Sequence, residues 1–180
     1  MGWKSKPTRY GAVAMAMHWL TAAAILGLIG SGLAMDNATD DATRTLLLRG
    51  HAIAGVFVVA LTLLRIAWWA FADRRPAHPA GMPSWQALAA TVVHRLFYVI
   101  ILGMGASGIA MIALSGVGPI LFAGAPGPLP EFWKLAPHAP HGFGAWAMIA
   151  LVVLHVGAAL CHQFVNRDRL LARMGVGSVN

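Results

Sequence analysis

Four long apolar stretches alternate with short polar breaks along the chain. They run over about residues 11–35, 46–72, 88–114 and 141–165. Each reaches the roughly 20 residues that a helix rising about 1.5 Å per residue needs to cross hydrocarbon. Asp36-Asn37-Ala38-Thr39-Asp40-Asp41 ends the first stretch and offers a cap for the second. Pro76, Pro79 and Pro83 separate the second from the third. Residues 115–140 are too rich in glycine and proline to form a span. Glu131, Phe132 and Trp133 within them suit a short interfacial helix over about 130–135. Pro140 suits the first turn of the fourth helix. No internal sequence repeat is evident. The pattern predicts an all-α integral membrane four-helix bundle, a single domain over residues 1–180.

Composition agrees with a lipid-embedded chain. Of 180 residues, 58% are hydrophobic and 11% charged, against about 25% charged in an average soluble domain. The net charge of +7 does not mark a nucleic-acid binder, because the basic residues occupy loops and ends. They read instead as topology determinants. Lys4, Lys6, Arg9, Arg65, Arg74, Arg75, Arg95, Arg167, Arg169 and Arg173 fall on one side, and Arg44, Arg49 and Lys134 on the other. Both termini are therefore expected in the cytoplasm, with the chain crossing the membrane several times. Lys4, Lys6 and Arg9 before an apolar run invite a signal-peptide reading. The run from Gly11 to Met35 is longer than the usual apolar core of about 7–15 residues, so a retained span is expected. Cys161 is the only cysteine. It excludes an internal disulfide and covalent haem attachment through C-x-x-C-H, and reads as a packing residue.

Histidines carry the candidate chemistry. An imidazole in hydrocarbon costs free energy unless something binds it. His141 and His155 are 14 residues apart in the fourth stretch, on nearly one helix face and roughly 21 Å apart along the axis. That separation excludes a shared zinc ion and suits two cofactors stacked across the membrane. By depth, His51 pairs with His141 outside and His18 with His155 inside. Each pair joins two different helices, as two axial ligands of one haem iron must. Arg65 lies 14 residues after His51, at the inner depth. A haem propionate would partner it, and snorkelling to the inner surface is the alternative. Arg49 and Arg44 suit outer propionates or an anionic substrate, or stand as exposed loop charges. His162 lies on nearly the same face as His155, but at the membrane boundary. It and His94, which opens the third stretch, are candidates for a quinone site. His138 and His78 read as loop residues.

The chain resembles the bacterial di-haem cytochrome b561 family, superoxide oxidase-like members included. The residues that carry the resemblance are Met17-His18-Trp19-Leu20, Arg49-Gly50-His51, His94-Arg95-Leu96, the ordered His141, His155 and His162, and Asn166-Arg167-Asp168. The resemblance implies a four-helix bundle with two non-covalent b haems, ligated at His18, His51, His141 and His155. It also implies electron exchange with membrane quinone, and in some members oxidation of superoxide outside with reduction of ubiquinone inside. The outer side of this chain has few cations and four of its six acids, Asp36, Asp40, Asp41 and Glu131, which weakens electrostatic steering of an anion. Three functions follow as expectations. The first is a superoxide-to-ubiquinone type oxidoreductase. The second is an electron-relay anchor between quinol and a periplasmic redox protein. The third is a non-redox membrane adaptor.

Overall fold

The computed structural model describes residues 2–79 and 81–177. In chain order its α-helices are α1 Ala12–Asn37, α2 Asp41–Ala67, α3 Ser84–Ser115, α4 Gly118–Phe122, α5 His138–Cys161 and α6 Leu170–Arg173. The helices of α2 and α5 run on through wider π-helical turns, Trp68–Ala72 and His162–Asn166. Among the described residues the one β-type pairing is an isolated bridge between Lys6 and Arg9. Four helices, Ala12–Asn37, Asp41–Ala72, Ser84–Ser115 and His138–Asn166, are long and apolar enough to cross a membrane, as expected from the sequence.

Local chemistry explains the boundaries. The Asp40 side chain accepts from the Thr43 N–H at 2.8 Å and caps α2. Gly116, at φ 66°, takes the left-handed conformation that ends α3. Three of the spanning helices begin earlier than the apolar stretches they contain, α2 at Asp41, α3 at Ser84 and α5 at His138. The fourth spanning helix begins at His138 rather than 141. Pro140 still falls in its first turn, where a missing N–H costs nothing. His138 therefore opens the helix instead of preceding it, though its side chain stays exposed. Within the Gly/Pro-rich outer segment, α4 forms because Pro119 starts a helix well and because Val117 and Leu121 are buried. The interfacial helix expected over 130–135 is a single 3₁₀ turn, Phe132–Lys134.

The helices form two antiparallel hairpins, α1 with α2 and α3 with α5, joined along the contact of α2 with α3. The expectation of no internal repeat is wrong. His18, Gly27, Ser31, Gly32 and Met35 in α1 recur in the same order and spacing as His94, Gly103, Ser107, Gly108 and Met111 in α3. His51 and Arg65 in α2 match His141 and His155 in α5, each pair 14 residues apart. The repeat escapes a reading for periodicity because the second helices share few residues and the connecting segments differ in length. The core makes the same point. Its central cluster is Ile25, Val58, Ile101 and Met148, one residue from each long helix. Ile25 occupies in α1 the place of Ile101 in α3, and Val58 in α2 that of Met148 in α5. The two hairpins thus repeat one arrangement in the same direction across the membrane, a parallel repeat.

Close backbone approach holds the hairpins together, since lipid offers no hydrophobic drive between helices. A Cβ at Gly105 would lie 2.3 Å from Val59 Cγ2 across α2 and α3. Gly105→Leu is therefore expected to destabilise the detergent-solubilised protein by about 1–3 kcal/mol, the usual cost of overpacking. A Cβ at Gly103 meets nothing within 4 Å, so Gly103→Ala should leave the melting temperature nearly unchanged.

At the end of the bundle where α1 and α3 begin, polar contacts tie three segments together. Ser5 donates to Asp73 from its N–H at 3.0 Å and its hydroxyl at 2.8 Å. Arg173 donates to the carbonyls of Thr8, Pro7 and Ala77. Burial pushes the Asp73 carboxyl up, but hydrogen bonds from Ser5, Arg74 and Trp68 outweigh it and hold the group below its ordinary value. A carboxyl lowered by folding stabilises the folded state above its unfolded value and loses that contribution as pH falls through the folded one. These contacts are therefore expected to loosen on acidification below about pH 4. Hydrogen exchange at the Ser5 and Gly11 amides, both held by this cluster, is the readout.

Candidate functional site

The histidines cluster at two levels, above and below the Ile25–Val58–Ile101–Met148 core. At the outer level, α2 carries His51 and α5 carries His141, with ring centres 6.2 Å apart and planes at 60°. His51 Nδ1 lies 2.9 Å from Ser31 Oγ on α1, and His141 Nδ1 lies 2.9 Å from Ser107 Oγ on α3. Each serine hydroxyl already donates to a carbonyl of its own helix, Leu28 at 3.1 Å and Met104 at 2.9 Å. Each serine oxygen must therefore accept from the imidazole. Both rings are protonated on Nδ1, and both leave Nε2 free as a ligand.

At the inner level, His18 from α1 faces His155 from α5. Their ring centres are again 6.2 Å apart, with planes at 60°. His94 from α3 sits 5.3 Å from His155 and nearly perpendicular to it, and Phe97 packs at 5.5 Å from the same ring. The Nδ1 of His94 is 2.6 Å from the Ala90 carbonyl, to which it donates, so its Nε2 also remains free. Arg65 is half-buried, and its Nε has no hydrogen-bond partner among the described residues.

These distances test whether a metal fits between the rings. Two imidazoles on opposite sides of one iron, each bonded at about 2 Å with its ring centre about 1.1 Å behind the nitrogen, have centres about 6.2 Å apart. Rotating either ring about the common axis leaves that separation unchanged. Both pairs have that ring-centre separation. His94 and His155 are too close to have it. Among the described residues, no group of three or more histidine, cysteine or acidic side chains is placed to hold a metal ion, so a zinc-type cage lacks its ligands. The unpartnered Arg65 Nε suits an anionic group at the inner level. Each pair thus has the spacing to hold one iron between its imidazoles.

The model of the family described as prokaryotic cytochrome b561 matches residues 9–177. The chain belongs to that family. It is similar to cytochrome b561 homolog 2 of Escherichia coli K12, with 28% identity over 97% of this chain and 95% of that one. Cytochrome b561 homolog 1 of the same strain is 29% identical over 92% of this chain and 96% of its own length. Cytochrome b562 of Cereibacter sphaeroides is 27% identical over 92% of this chain and 94% of its own. No solved structure matches the chain. This b561-family chain is accordingly a multi-pass inner-membrane protein of electron transport, with the haem b and oxidoreductase character of its family.

The other sequence candidates separate from the two levels. The Nδ1 of His162 is paired with Asp168 and lies 3.4 Å from Asn166, which ties that ring to the turn after α5. His78 and His138 are exposed. Arg44 donates to the Ala38 carbonyl. Arg49 Nε has no partner among the described residues. Arg49 lines an outer cavity of about 420 Å³ with Asp41, Thr45 and the Gly124–Gly127 segment. Sequence reasoning missed Ser31 and Ser107. The available signal was the recurring Ser-Gly pair, each placed 13 residues after a histidine.

Proposed function

We propose that this b561-family chain is a di-haem b oxidoreductase, carrying electrons from a periplasmic donor to ubiquinone. Superoxide is the leading donor. The observation that carries the reading is the pair of imidazole couples, each with ring centres 6.2 Å apart. Bound haem supplies one-electron redox chemistry in a range set by its ligands and surroundings. The protein's own part is to hold and tune. His51 and His141 hold the outer group, and His18 and His155 the inner one. Arg65 supplies a cation for an inner propionate. His94, with Nε2 free beside His155, is placed to hydrogen-bond a quinone carbonyl. His162 remains a second candidate there, although its Nδ1 is engaged by Asp168. The Arg49 cavity offers an anionic donor a cationic approach on an otherwise acidic outer face. The distribution of basic residues puts that face in the periplasm.

A reduced-minus-oxidised spectrum with a haem-to-protein ratio tests the cofactor count, and two per chain is expected. Stopped-flow mixing of the oxidised protein with superoxide tests the donor. Reduction faster than spontaneous dismutation allows is expected, with electrons passing on to added ubiquinone. No reduction above that background, together with reduction by quinol and release to a periplasmic redox protein, would transfer the assignment to an electron-relay anchor.

A further inference from the structure

The outer and inner levels differ in one respect that bears on the direction of electron flow. At the outer level, the histidines and the serines beside them come in pairs matched by the internal repeat. His51 and His141 are equivalent, and so are Ser31 and Ser107. The two Nδ1–Oγ distances are the same, 2.9 Å. Gly32 and Gly108, each next to its serine, lie beneath the Cε1 atoms of His51 and His141. The inner level lacks this support. Neither His18 nor His155 has a ring nitrogen hydrogen-bonded to the protein among the described residues, and their counterparts in the internal repeat are His94 and Arg65.

We propose that Ser31 and Ser107 are matched positioning residues that lower the reduction potential of the outer centre relative to the inner one. This inference rests on the reading that His51 and His141 ligate the outer haem. An imidazole whose Nδ1–H is held by an acceptor is a more basic donor through Nε2. A stronger donor favours ferric over ferrous iron. The protein supplies this hydrogen bond twice at the outer level and not at the inner one. Electrons arriving outside therefore run downhill to the inside.

The test is spectroelectrochemical titration of the haem-loaded protein with Ser31→Ala, Ser107→Ala and both together. Each single variant is expected to keep both haems. Each should shift the outer ferric-to-ferrous ratio at fixed potential about threefold toward ferrous, the effect of one ordinary hydrogen bond. The double variant should shift it about tenfold, or about 59 mV upward for a one-electron couple. The inner potential should not move. Ser31→Thr and Ser107→Thr, which keep the hydroxyl, should restore the original value. A purely packing role would leave the potential unchanged in all of these proteins, and that result overturns the proposal. So does a shift at the inner centre, or a shift from only one of the two serines. His51→Ala keeps the two levels of inference apart. If it removes one haem while the serine variants leave the potentials alone, only the tuning role is lost. If it removes none, the ligand assignment itself fails.

Discussion

Replacing His141 by alanine is expected to cut the haem content of the purified protein from two per chain to one and to spare the inner centre. His141 is one half of the outer imidazole pair, and its partner His51 sits on a different helix. Loss of a residue that merely supports a metal ligand already costs about 10–100-fold in affinity, so loss of the ligand itself should exceed about 100-fold. The inner pair, His18 and His155, lies on the far side of the Ile25–Val58–Ile101–Met148 core and keeps both ligands. His138→Ala, at the exposed first residue of the same helix, should leave the content at two. Full haem content in His141→Ala would break the pairing. Circular dichroism separates selective loss from unfolding, since the four spanning helices should remain intact.

Arg65→Met should produce effects of opposite sign in the haem-free and haem-loaded protein. Among the described residues Arg65 Nε has no partner inside its spanning helix, and an unpaired cation there is costly. Methionine fills similar space without the charge, so the haem-free variant is expected to melt higher than the parent. With haem present, the guanidinium is the available partner for an inner propionate. Removing one side of such a buried charge pair typically costs about 2–5 kcal/mol, which corresponds to at least about 30-fold weaker binding. Haem titration should show weakened inner binding and an undisturbed outer site. A variant that melts higher and binds both haems as before would show that Arg65 snorkels to the surface.

The spans and the two-level pairing of histidines were legible because both follow from one-dimensional rules. Helix length against bilayer thickness placed the four apolar stretches. Depth along each helix matched His51 to His141 and His18 to His155, whose ring centres do lie 6.2 Å apart. Features that depend on which helix neighbours which were not legible. The serines reach their histidines across helix pairs, Ser31 from α1 to α2 and Ser107 from α3 to α5, and no spacing rule announces that. Helix α4 was hidden because glycine and proline suggest a loop, whereas a proline near a helix start favours one. The place of His94, nearer to the centre of His155 than His18 is, also depends on how the hairpins pack.

The duplicated architecture constrains how the two ends of this protein can change. Two identical hairpins, held together without a covalent link, could assemble the outer site, because both halves contribute the same groups there. They could not assemble the inner one, where a guanidinium in one half stands opposite an imidazole in the other. Joining the halves into a single polypeptide lets one end keep its symmetry while the other departs from it. The inner end, and not the outer, is where substitutions can distinguish one half from its twin and so create a face with a single docking direction for a small molecule.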